Sequence, residues 1–181
     1  MGQELEAKYK VADFAAVRDA LAAAGAVYRG TAGESDVFFD TPDRKLYHGD
    51  RALRLRRIEA IEAPPGGLVG GWLLTSKGPP GENTRAKVRH EVQTRIEDGE
   101  AMAEILRGVG MVEFRGMVKR RSSYVLGDCL VELDEVSPLG CFVEIEAPDE
   151  QSLQEVRSRL GLPDQPITES YLKLVDLHGR G

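Results

Sequence analysis

Residues 3–11 read "QELEAKYKV". Side chains two apart share a strand face, so Glu4, Glu6 and Lys8 stand together while Leu5, Ala7 and Tyr9 stand opposite. The same alternation recurs down the chain. In "RALRLRRIE" Arg54 and Arg56 share a face against Leu53 and Leu55, and in "TRAKVRHEVQTRI" Arg85, Lys87, Arg89, Glu91 and Gln93 stand against Ala86, Val88, His90 and Val92. "MVKRRSSY" aligns Lys119 with Arg121, "CLVELDEV" aligns Glu132 with Asp134, and "CFVEIEAP" aligns Glu144 with Glu146. Lys77 ends "WLLTSK" on the parity of Thr75.

A one-sided antiparallel sheet ordinarily turns a charged face to water, and any one of these strands fits that description. As a set they do not. Acidic pairs occupy the first strand and the last two, and basic pairs occupy those between. Such sorting costs self-repulsion on each strand unless the strands face one another. Closing the sheet with the charged faces inward brings acids opposite bases, and larger barrels enclose ligand cavities rather than packed cores. Nine inward cations (Lys8, Arg54, Arg56, Lys77, Arg85, Lys87, Arg89, Lys119, Arg121) meet seven inward carboxylates (Glu4, Glu6, Glu91, Glu132, Asp134, Glu144, Glu146). That excess of two positive charges, raised by one or two divalent cations, complements a triphosphate. Oxygen ligands select hard ions such as Mg²⁺ or Mn²⁺, and Arg forks grip phosphate oxygens in pairs. On this reading Arg54, Arg56, Lys119 and Arg121 repel one another when the cavity is empty. Neutralising one of them is expected to leave the fold as stable or stabler.

The 181 residues are enough for one domain with a sizeable core, and no linker or internal repeat divides them. The net charge of −6 argues against general nucleic-acid or membrane-surface binding. No apolar run approaches a membrane span, and no secretory signal is read at the N-terminus. Cys129 and Cys141 lack zinc-site companions and fit reduced thiols of a cytoplasmic protein.

Strands are predicted over 3–11, 26–32, 35–40, 51–60, 71–77, 85–97, 113–126, 128–136 and 141–147. Four helices are predicted. The first is capped by Asp13 and stopped by Gly25, the second starts at Asp98, the third runs over 149–160, and a short last one is capped by Thr168. The pattern describes an α+β domain: an eight-stranded antiparallel β-barrel with a charged interior and helices packed outside. Trp72, His90 and Tyr124 lie on the parity opposite the cations and are read as packing residues.

Glu4-Leu-Glu6-Ala-Lys8 resembles the Glu-x-Glu-x-Lys signature of the CYTH superfamily, the triphosphate tunnel metalloenzymes. The resemblance continues in order through "DVFFDTPD", "ALRLRR", "SKGP", "VRHEV", "VKRRSSY", "VELDEVSPLG", "FVEIE" and "SYLKL", from about residue 3 to 175. It is closest to the class IV adenylate cyclase and thiamine triphosphatase branch. It implies Mg²⁺ or Mn²⁺ on Glu4, Glu6, Asp134, Glu144 and Glu146, with Glu132 sharing their face. It also implies a triphosphate held by Lys8, Arg54, Arg56, Lys77, Arg89, Lys119 and Arg121. Arg85 and Lys87 join that set by parity, and Lys8 and Lys77 are taken as catalytic. One departure stands out: Glu91 is followed by Gln93 where the family commonly has a second glutamate. The expected partner is a small-molecule triphosphate, with a homodimer left open. The expected activity is cyclisation of ATP or hydrolysis of an organic or inorganic triphosphate; the alternative is a non-catalytic polyphosphate sensor.

Overall fold

A computed structural model describes residues 5–80 and 89–179. Glu4, Arg85, Lys87 and the side chain of Arg89 lie outside the described residues.

Eight strands form one antiparallel sheet: β1 (Leu5–Val11), β2 (Val27–Asp40), β3 (Ala52–Glu62), β4 (Gly71–Pro80), β5 (Arg89–Ile96), β6 (Val112–Leu126), β7 (Cys129–Val136) and β8 (Gly140–Ala147). Their order is β1-β8-β7-β6-β2-β3-β4-β5. The sheet curls with its charged face inward. Among the described residues β1 and β5 are its two edges, so its hydrogen bonding forms an open tunnel wall rather than a closed ring. Two adjacent segments, predicted at 26–32 and 35–40, are one 14-residue strand. Register shifts at Tyr28/Gly30 and Thr31/Ala32 absorb the irregularity between them, and Gly30 has φ 134°. Bulges of this kind bend a strand and increase its twist, which a curling sheet requires.

The helices are α1 (Ala15–Ala23), α2 (Lys45–His48), α3 (Gly99–Gly108), α4 (Glu150–Arg159) and α5 (Tyr171–His178). Asp98 and Asp149 cap α3 and α4 by accepting hydrogen bonds from the backbone N–H groups of Ala101 and Ser152. Asp13 lies one residue before the α1 cap position, where it accepts from the Ala15 N–H at 2.8 Å. The sequence reading gave no sign of α2.

Helices α1 and α4 cover the outward face of β1, β7 and β8. Val17, Leu21, Leu153 and Val156 pack there against Tyr9, Val131, Leu133, Val143 and Ile145. Helix α3 covers β2–β4, setting Met102, Ala103 and Leu106 on Phe39, Leu55 and Trp72. Gly99 opens that helix against the indole. A Cβ there would lie 2.0 Å from Trp72 Cδ2. Tyr124 also packs on the outer core, as its parity predicts.

Helix α5 departs from the expectation that all helices pack outside. Its Tyr171 and Leu172 pack on Phe38, Met117, Val136 and Phe142. These four lie on the charged face, because Val136 is opposite Lys119, Phe142 opposite Asp134, Met117 opposite Asp36 and Phe38 opposite Arg54. Helix α5 therefore sits inside the curl and stops one end of it. Its cap is Ser170 rather than Thr168: the chain stays extended past Ile167, which bridges to Lys8. His90 is exposed on edge strand β5, not packed as expected.

Candidate functional site

The inward face encloses a cavity of about 690 Å³, whose walls include Glu6, Lys8, Glu34, Arg54, Arg56, Lys77, Glu91, Lys119, Arg121, Glu132, Glu144 and Glu146. Strand pairing brings these rows together. Lys8 faces Glu144, Glu6 faces Glu146, Glu132 faces Glu144, Arg121 faces Asp134, and Lys77 faces Glu91.

Asp134 is fully buried and anchors β6. It accepts from Arg121 Nε at 2.6 Å and Nη2 at 2.5 Å, from Lys119 Nζ at 2.9 Å, and from the Tyr171 hydroxyl at 3.0 Å. Asp36 anchors β3, accepting from Arg56 Nε at 2.6 Å and Nη2 at 2.8 Å. Burial alone would raise both carboxyls. The Arg121 and Lys119 charges outweigh burial at Asp134, and the Arg56 hydrogen bonds and Arg54 charge outweigh it at Asp36, so both lie below the usual range. In this structure the oxygens of Asp134 serve the cations Arg121 and Lys119.

Arg121 also meets Glu144 Oε2 at 2.5 Å and pairs with Glu132. One guanidinium cannot neutralise three carboxylates. Glu144 keeps its charge, held well below the usual range because Lys8 and Arg121 overcome burial. Glu132 does not: burial, with Glu146 and Asp134 adding to it, pushes its carboxyl up to about 8. Lys8 Nζ lies 3.4 Å from Glu144, donates to the Glu169 carbonyl at 3.1 Å, and stands 4.0 Å from the Tyr171 ring centre. Lys77 pairs with Glu91 at 2.8 Å near the rim.

Of the cavity cations named above, Arg54 is the least compensated. Its Nη1 is 3.8 Å from Asp36, its Nη2 reaches the Thr75 hydroxyl at 3.3 Å, and its buried Nε has no hydrogen-bond partner among the described residues. Burial and the neighbouring Arg56 charge lower its affinity for a proton.

Two site residues were absent from the sequence reading: Glu34 and Asp36 on β2. The signal was available in "GESD", an alternation that the predicted strand break placed partly outside any strand. They change the charge count. In the central rows, among the described residues, six cations (Lys8, Arg54, Arg56, Lys77, Lys119, Arg121) face eight carboxyl groups (Glu6, Glu34, Asp36, Glu91, Glu132, Asp134, Glu144, Glu146), and with Glu132 protonated the net is minus one. The expected count of nine cations and seven carboxylates thus gains two acids, while Arg85, Lys87 and the Arg89 side chain lie outside the described residues.

No three described His, Cys, Asp or Glu side chains are grouped closely enough to hold a metal ion. The donor chemistry still fits one. Glu6, Glu132, Glu144 and Glu146 supply hard oxygens on adjoining strands, and a divalent cation would relieve the crowding that keeps Glu132 protonated.

Fold and site together define a charge-lined β-tunnel domain. A model of the CYTH domain matches residues 2–162, and the chain belongs to that family. It is 32% identical to the adenylate cyclase CyaB of Aeromonas hydrophila, with 96% of this chain and 88% of the relative covered. It is 29% identical to Methanocaldococcus jannaschii MJ0240, provisionally named an adenylate cyclase, with 94% of this chain and 97% of the relative covered. The PH1819 protein of Pyrococcus horikoshii superimposes with a TM-score of 0.81 at 27% identity, with 97% of this chain and 99% of that chain covered. No described helix is long and apolar enough to cross a membrane.

Proposed function

We propose that this protein is a divalent-metal-dependent enzyme acting on a nucleoside triphosphate, and that it cyclises ATP to cyclic AMP and pyrophosphate. The observation that carries the reading is the convergence of Lys8, Arg54, Arg56, Lys77, Lys119 and Arg121 from four strands on one cavity, with the Arg54 guanidinium left under-paired. A polyanion satisfies that arrangement; an uncharged ligand does not.

Phe38, Tyr47, Met117 and Leu172 line the α5 end of the same cavity. This apolar end beside the cationic rows gives an uncharged organic group a place to lie, which favours a nucleoside triphosphate over inorganic tripolyphosphate. The names of the relatives agree with cyclisation.

Cyclisation forms a bond from the ribose 3′-oxygen to the α-phosphorus and breaks the α–β bridge. The 3′-hydroxyl loses its proton, and pyrophosphate leaves with the electron pair. Arg54, Arg56, Lys119 and Arg121 would hold the β and γ groups. Lys8 and Lys77 would stabilise charge on the leaving pyrophosphate. Glu6, Glu132, Glu144 and Glu146 would hold Mg²⁺ or Mn²⁺, with Glu4 joining them from outside the described residues. A bound ion there would supply neutralisation of phosphate charge. A passive polyphosphate sensor would need the cations but not this carboxylate set, so the acids favour an enzyme.

The test is to supply purified protein with ATP, thiamine triphosphate and tripolyphosphate in Mg²⁺ or Mn²⁺, quantifying cyclic AMP, pyrophosphate and phosphate. Cyclic AMP and pyrophosphate in equal amounts are expected. Phosphate release without cyclic AMP would assign a triphosphatase instead, and no turnover with any of the three would overturn the enzyme.

A further inference from the structure

The carboxylates that neutralise the buried cations are of two kinds. Asp36 and Asp134 grip from the sheet side through aligned hydrogen bonds and do not line the cavity. Glu34 does line it. Its Oε2 lies 2.6 Å from Arg56 Nη1, 3.3 Å from Lys119 Nζ and 3.9 Å from Arg121 Nε, from the strands on either side of β2. None of these contacts is aligned as a hydrogen bond, although the oxygen is buried. One carboxylate oxygen thus sits among three phosphate-type cations, held by charge without directional bonding.

We propose that Glu34 is a resident anion occupying the seat of one phosphoryl group, so that substrate binds by exchanging with it. The inference rests on the triphosphate reading and adds a residue that sets affinity. Burial would raise the Glu34 carboxyl, but Lys119, Arg121 and Arg56 outweigh burial and hold it at about 2, so it is charged whenever the protein is folded near neutrality. A lone phosphate entering this seat replaces one anion by another and gains little. A chain that continues to Lys8, Arg54 and Lys77 adds contacts that Glu34 cannot make. The flexible glutamate stem allows the carboxylate to swing off the cations, while Asp36 and Asp134 keep those cations in place.

The test is calorimetric titration with tripolyphosphate in Mg²⁺ of the wild type, Glu34→Gln, Glu34→Asp and Glu155→Gln. Glu34→Gln should bind about tenfold more tightly, the worth of one charged contact no longer competed for. Glu34→Asp, whose shorter stem withdraws the carboxylate, should fall between, and it carries the test alone if the Gln variant does not fold. Glu155→Gln removes the same charge from the exposed face of α4, away from the cavity, and should change binding by less than about threefold, as an exposed charge does. Equal or weaker binding by both Glu34 variants would make Glu34 a support for the cations and overturn the exchange. Equal tightening in Glu155→Gln would overturn it too, because net charge alone would then explain the gain. Wild type that binds no tripolyphosphate would instead remove the triphosphate reading itself, and the inference with it.

Discussion

Arg56 closes a two-point fork on Asp36, Nε to Oδ1 at 2.6 Å and Nη2 to Oδ2 at 2.8 Å, and turns its remaining nitrogen to Glu34. The sequence, with both acids overlooked, makes Arg56 one of four mutually repelling cations whose loss costs nothing. The structure reverses that expectation. Arg56→Met would take the two-point fork from buried Asp36 and the nearest cation from buried Glu34, and removing one partner of a buried pair costs about 3–5 kcal/mol. Urea denaturation should show a loss of that size, together with weakened tripolyphosphate binding. An unchanged midpoint would mean that the fork does not form.

Tyr171 links α5 to the site through two contacts that can be separated. Its hydroxyl donates to Asp134, and its ring lies under the Lys8 ammonium. Tyr171→Phe should cost about 1–2 kcal/mol, for one lost donor to a buried carboxylate, and leave triphosphate affinity nearly intact. Tyr171→Leu also removes the ring and should weaken binding several-fold by freeing Lys8. Calorimetry showing the two variants equal in affinity would assign the ring no part in positioning Lys8.

Acid should release part of the interior. The Glu34 carboxyl is held at about 2 in the folded chain against an ordinary value of 4.5. A depressed folded value means that its contribution is fully present above about pH 4.5 and is lost as the pH falls toward 2. Asp36, Asp134 and Glu144 shift in the same direction. Stability measured from pH 6 to pH 2 should therefore fall less steeply in Glu34→Gln than in wild type. Parallel profiles would sink this assignment.

The metal ligands can be tested without turnover. Glu6 and Glu146 face each other across β1 and β8, and each is only partly buried. Glu6→Gln with Glu146→Gln should weaken Mn²⁺ binding about tenfold or more, as lost carboxylate ligands do, with little change in melting temperature. Mn²⁺ binding can be followed by electron paramagnetic resonance. Wild-type affinity in the double variant would move the ion elsewhere.

The fold was legible wherever period-two alternation ran unbroken. Arg54 and Arg56, Lys119 and Arg121, and Glu144 and Glu146 all lie inward as their spacing predicts. It failed at Glu34 because the predicted strands, 26–32 and 35–40, left it between them, whereas β2 runs unbroken from Val27 to Asp40. Alternation also cannot say which face of a sheet receives a helix. The apolar residues of α5 announce a packed stripe, but its place inside the curl follows from Phe38, Met117, Val136 and Phe142. These four continue charged rows and only become a group once the register is known. The cap at Ser170 was hidden for a similar reason: only the bridge between Lys8 and Ile167 keeps the preceding residues extended.

A sheet whose inner face is ionic and whose outer face is apolar also has a distinct thermal signature. Unfolding hydrates both faces, and apolar exposure raises the heat capacity while polar exposure lowers it. The charged rows therefore subtract from what the outer cores contribute. The heat-capacity increment should fall below the roughly 12–15 cal/mol/K per residue of ordinary domains. A smaller increment gives a flatter stability curve, so the protein should lose less of its stability on warming or cooling away from its optimum than an apolar-filled domain of equal length. Scanning calorimetry at several pH values reads the increment directly, and an ordinary value would mean that the charged rows are already hydrated in the folded state.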